Sequence, residues 1–110
     1  MLRVTKLTDY ATVVLTVLAC DPLAVLSASE LAERAGLEVP TVAKVLKPLA
    51  QAGLVDGFRG ANGGYRLARD AAAISLVEIV EAMEGPLGLL ARAARELIEL
   101  VAARPVLLRP

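Results

Sequence analysis

The chain has 110 residues, 56% of them hydrophobic but only 3% aromatic, and its 12 basic and 12 acidic residues leave no net charge. That length supports one domain with one modest core, and a core built of Leu, Val, Ala and Ile favours helices. With no histidine and a single cysteine, Cys20, an internal disulfide framework and a Cys/His zinc site are excluded, and acid–base catalysis loses its usual residue.

Residues 1–6 carry two positive charges, residues 11–19 are apolar apart from threonines, and Val17-Leu18-Ala19-Cys20 resembles a lipoprotein cleavage box. Asp9 and Tyr10 interrupt that pattern, and the apolar run is too short to cross a bilayer. The segment therefore reads as an amphipathic helix over residues 9–19. Thr8 is its expected cap, Asp9 lies at the positive end of its dipole, and Cys20 is expected to be buried and inert rather than a redox switch. A cytoplasmic location follows from rejecting export.

Asp21-Pro22 stops the first helix. Ser27-Ala28-Ser29-Glu30 matches a capping box, in which Ser27 and Glu30 satisfy each other's backbone donors, and it opens a short helix over residues 28–35. Gly36 is the left-handed residue expected after it. A third helix spans residues 39–52, with Pro40 in the first turn, where its missing N–H costs nothing. Val42, Val45, Leu46 and Leu49 repeat at i, i+3, i+4 and i+7 and form the buried stripe. Thr41, Lys44, Pro48 and Gln51 fall on another face, flanked by Pro40 and Lys47. Pro48 is expected to bend or loosen the last turn, and Gly53 ends the helix.

Two helices joined by a short glycine-containing turn form either a helix-turn-helix or simply a packed helical pair with a solvated face. The next segment separates the two readings. Residues 54–58 and 65–68 read as paired strands, and the intervening Arg59-Gly60-Ala61-Asn62-Gly63-Gly64 has the residues that permit positive φ in a hairpin loop. A helix-turn-helix followed by a hairpin is a winged helix, mainly α with one small β-hairpin. Over residues 38–69, Lys44, Lys47, Arg59, Arg66 and Arg69 stand against Glu38 and Asp56, five minus two or +3, so the remainder carries −3. That asymmetry suits a face turned toward phosphate. Arg59, beside the glycines, is the wing residue best suited to DNA, with Asn62 in the same loop; Arg66 and Arg69 are either DNA contacts or ordinary solvated charges.

Ser75-Leu76-Val77-Glu78 is a second capping box and opens a helix through Glu84, with Leu76, Ile79, Val80 and Met83 as its apolar stripe. Glu78, Glu81 and Glu84 read as a solvated acidic face, and Gly85-Pro86 breaks the helix. A last helix over residues 89–103 carries the stripe Leu90, Ala93, Ala94, Leu97, Ile98 and Val101. Arg92–Glu96 and Arg95–Glu99 are expected pairs on its other side. So apolar a stripe must be buried, either on its own domain or on its copy in a second chain. The boundary falls between a DNA-binding unit at residues 1–86 and a helix and irregular tail for dimerisation at residues 87–110.

The stretches Thr5-Lys6-Leu7-Thr8-Asp9-Tyr10-Ala11, Glu30-Leu31-Ala32-Glu33-Arg34-Ala35-Gly36 and Arg59-Gly60-Ala61-Asn62-Gly63-Gly64-Tyr65-Arg66-Leu67 resemble the Rrf-two family of bacterial transcriptional regulators. Ile74-Ser75-Leu76-Val77-Glu78-Ile79-Val80-Glu81-Ala82-Met83-Glu84-Gly85-Pro86 does too, closest to the branch tied to iron–sulfur (SUF) assembly. The resemblance implies a homodimer on a partly palindromic operator, contacting double-stranded DNA from the region of Pro40, Thr41 and Lys44, with Arg59 as the wing arginine. From the residues themselves, Lys44 and Lys47 are expected chiefly to neutralise phosphates and Thr41 and Lys44 to reach base edges, so that a sequence-specific regulator occupying a promoter represses by exclusion. Many members hold an iron–sulfur cluster with three cysteines in a loop that would follow Gly88. Here Leu89-Leu90-Ala91-Arg92 runs straight into a helix with no cysteine, so no cluster is expected. The chain also ends early for this family, which implies a shortened or altered form with weakened dimerisation. The alternative reading is a winged-helix module that binds another protein and never DNA. No nucleophile–base pair, metal set or phosphate loop suggests an enzyme.

Overall fold

The structure is a computed structural model that describes residues 6–103; the expectations for the first five residues and for the tail at residues 105–110 lie outside the described residues. Helix α1 (Lys6–Cys20) leads to α2 (Ala28–Ala35) and α3 (Val39–Gln51). An antiparallel hairpin, β1 (Val55–Phe58) and β2 (Gly64–Leu67), follows, then a single 3-10 turn (Ala71–Ala73) and a long α4 (Leu76–Ala102). This is the helix-turn-helix and wing expected from the sequence.

Helix α1 begins earlier than its sequence suggests. Thr8 is not a cap but a fully buried residue inside the first turn. The Thr12 hydroxyl donates to the Thr8 carbonyl at 3.0 Å, and the Thr16 hydroxyl to that of Thr12 at 2.8 Å. These bonds keep the polar atoms of an otherwise apolar helix satisfied. Ala11, Val14, Leu15 and Leu18 face the core. Cys20 corrects another expectation: at the end of the helix it is exposed, not buried.

Both capping boxes form. At α2 the Glu30 amide donates to Ser27 Oγ at 3.1 Å and the Ser27 amide to Glu30 Oε1 at 3.2 Å; at α4 the Glu78 amide donates to Ser75 Oγ at 3.2 Å and the Ser75 amide to Glu78 Oε1 at 3.1 Å. Gly36 closes α2 in the left-handed region. The core fills the space between α1, α2, α3 and the start of α4, with Leu18, Leu31, Leu46, Leu49 and Leu54 fully enclosed. Among the described residues no buried side-chain nitrogen or oxygen lacks a hydrogen-bond partner.

The expected break at Gly85 is present, with φ 77° and ψ 167°, but helix resumes at once rather than near residue 89. Pro86 occupies the restart, where a missing N–H is harmless. Before the break, Ile79 and Val80 are buried and Met83 packs against the core, while Leu76 is exposed and leaves the expected stripe. After it, over residues 86–102, no residue is buried. The apolar stripe of this distal arm is therefore not covered by its own domain, and the molecule is long, 67 × 25 × 23 Å. Among the described residues, no helix is long and apolar enough to cross a membrane.

Candidate nucleic-acid interface

Helix α3 divides its residues as the spacing demands. Val42, Val45, Leu46 and Leu49 are all buried, at 1% exposure or less. At 100° per residue the opposite face carries Pro40, Lys44, Lys47 and Gln51 in one line, with Thr41 and Pro48 on its flank. Pro40, Lys44, Lys47 and Gln51 are exposed; Thr41 and Pro48 are half-buried. The helix runs through Pro48 to Gln51, and the Ala52 amide donates to the Pro48 carbonyl at 3.0 Å, closing the last turn. The Leu54 amide donates to the Leu49 carbonyl at 3.0 Å and carries the chain from the helix end directly into the wing.

The hairpin pairs Val55 with Leu67, Asp56 with Arg66, Gly57 with Tyr65 and Phe58 with Gly64. Alternation then puts Val55 and Leu67 toward the core and Asp56, Phe58 and Arg66 on the outer face. The loop is closed by the Gly63 amide donating to the Gly60 carbonyl at 3.0 Å. A β-carbon at Gly63 would lie 2.4 Å from the Phe58 carbonyl oxygen, so the turn admits only glycine there. Among the described residues positive φ falls on glycines alone, so Asn62 does not take the conformation its residue type permits. It is exposed on the tip, as is Arg59.

What holds the wing in place was not legible in the order of residues. Leu26, in the link between α1 and α2, bridges to Tyr65: each amide donates to the other's carbonyl, at 2.9 and 2.7 Å. Gly64 makes the approach possible, because a β-carbon there would stand 2.5 Å from the Leu26 carbonyl oxygen. The only hint was an apolar Val25-Leu26 ahead of a capping box.

The basic residues sort into two groups. Lys44, Lys47 and Arg59 are exposed and, among the described residues, have no ion-pair partner. Arg66 lies over the Phe58 ring, 5.0 Å from its centre, so it is held on the outer wing face by a cation–π contact. Arg69 is committed elsewhere, bonding the Ala73 carbonyl and the Glu78 carboxylate. It pins the wing to the start of α4 and is not a free contact. Glu78 is thus no member of a solvated acidic face. The Ser75 amide, and after it Arg69, hold its carboxyl below the ordinary value of 4.5.

Comparison with known proteins bears on this geometry. The model of the Rrf2 family, described as an iron-dependent transcriptional regulator, matches residues 4–106. The chain belongs to the Rrf2 (Rrf-two) family. Protein aau3 of Rhizobium meliloti (strain 1021) is 39% identical over 78 residues, 71% of this chain and 51% of that protein. The HTH-type regulator IscR of Cereibacter sphaeroides is 40% identical over 53 residues, 48% of this chain and 34% of that one. The chain thus matches about half or less of these curated relatives' length. Among solved structures, the global cysteine regulator CymR of B. subtilis superposes with a TM-score of 0.72 at 31% identity, covering 78% of this chain and 67% of CymR. IscR of T. potens does so with 0.71 at 30% identity, covering 92% and 77%. Like these Rrf2 relatives, the chain is a winged-helix protein of a family of transcriptional regulators.

The family description invokes iron, but the donors of this chain do not fit an iron–sulfur group. Such clusters are held by several thiolates, and the chain has one cysteine and no histidine. Among the described residues no cluster of three His, Cys, Asp or Glu could hold a metal ion.

Proposed function

We propose that this Rrf2 chain binds double-stranded DNA as a homodimer on a partly palindromic operator and represses by occupying a promoter in the cytoplasm. The observation that carries the reading is the solvent face of α3, where Pro40, Lys44, Lys47 and Gln51 align beside a wing tipped by Arg59. Such a helix fits the major groove with its first residues toward base edges. Thr41 and Lys44 are placed for those edges, Lys44 and Lys47 for phosphate, and Arg59, Asn62 and Arg66 for the backbone or minor groove beside the wing. The exposed stripe of the distal arm supplies a self-complementary surface for a two-fold partner. No catalytic step is assigned to the chain, and no cluster is held by its residues; an anaerobically purified sample with cluster absorbance and stoichiometric iron overturns the latter.

Binding to a duplex across a salt series tests the DNA reading. Lys47→Ala and Arg59→Ala are each expected to weaken binding to all sequences and to flatten the plot of log K against log salt by about 0.9 per lost phosphate contact. Unchanged affinity and slope in the double variant would sink the model. Parent protein that shifts no duplex even at low salt would favour the protein-binding module instead.

A further inference from the structure

Two features meet at residues 84–92. The backbone leaves the helix at Gly85 with φ 77° and ψ 167°, a combination open in practice only to glycine. Across that break Arg92 Nη2 donates to Glu84 Oε1 at 2.7 Å and Arg92 Nε donates to Glu84 Oε2 at 2.9 Å. In an unbroken helix eight residues span about 12 Å of rise, so the break is what brings these two side chains together. The expected partner, Glu96, is only a minor electrostatic influence on Arg92; Glu84 is the main one, and it holds the guanidinium charge more firmly than usual.

The pair is no ordinary surface contact. Its side chains are 15% and 12% exposed, and a two-pronged arginine–carboxylate pair fixes orientation as well as distance. Removing one partner leaves the other charge shielded and uncompensated. On one side of it stands the buried Ile79–Val80 segment; on the other, an arm with no buried residue.

We propose that the Glu84–Arg92 clasp is a positioning device that fixes the angle between the wing-bearing core and the distal arm, and thereby the span between the two DNA-reading faces of a dimer. The second half rests on the dimer reading above; the first does not. The span is then set by an ion pair inside each chain.

The test uses the full chain with Cys20→Ser and nitroxide labels at Glu33→Cys on α2 and Arg95→Cys on the polar side of the distal arm, away from its apolar stripe, diluted into excess unlabelled protein so that only distances within one chain are read. A second pair, Asp9→Cys and Glu33→Cys, reports on the core alone. The parent is expected to give one narrow distance for each pair, and Glu84→Gln to broaden the core-to-arm distance severalfold while leaving the core pair narrow. A core-to-arm distance that stays narrow in Glu84→Gln overturns the proposal. So does broadening of both pairs, which would make the contact a folding element rather than a clasp. On duplexes whose half-sites differ in spacing by one or two base pairs, the parent is expected to prefer one spacing and Glu84→Gln to lose about tenfold of that preference. An unchanged preference overturns the link to span. A parent that binds no duplex overturns the DNA reading and leaves the distance result standing.

Discussion

A β-carbon at Gly64 would meet the Leu26 carbonyl oxygen at 2.5 Å and the Ser27 amide nitrogen at 2.9 Å. Both are backbone atoms, the first held in the bridge to Tyr65 and the second in the α2 capping box, so neither can swing away as a side-chain tip would. Gly64→Ala is expected to lower stability by about 1–3 kcal/mol, the range for forced local strain, and to speed amide exchange at Leu26 and Tyr65 in particular. Glu78 makes a prediction of a different kind. Its folded pKa lies below the ordinary 4.5, so folding favours the ionised form. The stabilisation is complete above the unfolded value and is lost as pH falls through the lowered folded one. The stability difference between parent and Glu78→Gln should therefore stay level from neutral pH to about pH 5 and shrink below it, as urea titrations at several pH values will read.

Within α3 the same short sequence must satisfy the core on one face and present a ligand surface on the other. Leu46, 1% exposed between Val42 and Leu49, sits wholly on the core side. Leu46→Ala is expected to cost about 2–5 kcal/mol, as for other core truncations, measured as a lower denaturant midpoint. Pro48 sits in the interior of the helix without an N–H to give the Lys44 carbonyl. Pro48→Ala restores that donor. Helix propensity favours alanine by about 3 kcal/mol, against up to about 1 kcal/mol of entropy returned to the unfolded chain, and some packing is lost. A net gain of about 1–2 kcal/mol is expected, and a fall in the midpoint would show that proline's contacts outweigh its missing bond.

For the molecule as a whole, the distal arm raises the question of what covers Leu90, Leu97 and Ile98, each more than 60% exposed. On the dimer reading they meet their own copies. Leu97→Glu is expected to weaken self-association at least about tenfold, since a charge entering an apolar contact costs more than 1.4 kcal/mol. Sedimentation would register the change, and thermal unfolding at concentrations where the parent is monomeric should not move. Equal self-association in the variant would place the partner surface elsewhere.

The parts that were legible in the sequence are those written within a few residues of one another. Two Ser-x-x-Glu boxes, the i, i+3, i+4, i+7 stripe of α3 and the glycine-rich wing tip each satisfy their own hydrogen bonds or face within a turn or two, so the helix-turn-helix, the wing and the lysines and arginine on them were fixed by local order alone. What the tertiary structure decided involves residues that meet only after those pieces pack. Leu26 bridging Tyr65, Arg69 turning from solvent to Glu78, Arg92 choosing Glu84 over its helical neighbour Glu96, and the burial of Thr8 against the exposure of Cys20 and Leu76 all belong to that class. Burial and partner choice depend on which surfaces come together, and periodicity says nothing about that: it gives a helix its apolar face without saying where along its length the core ends. In α4 the core ends at Gly85, and over residues 86–102 the apolar face stays exposed.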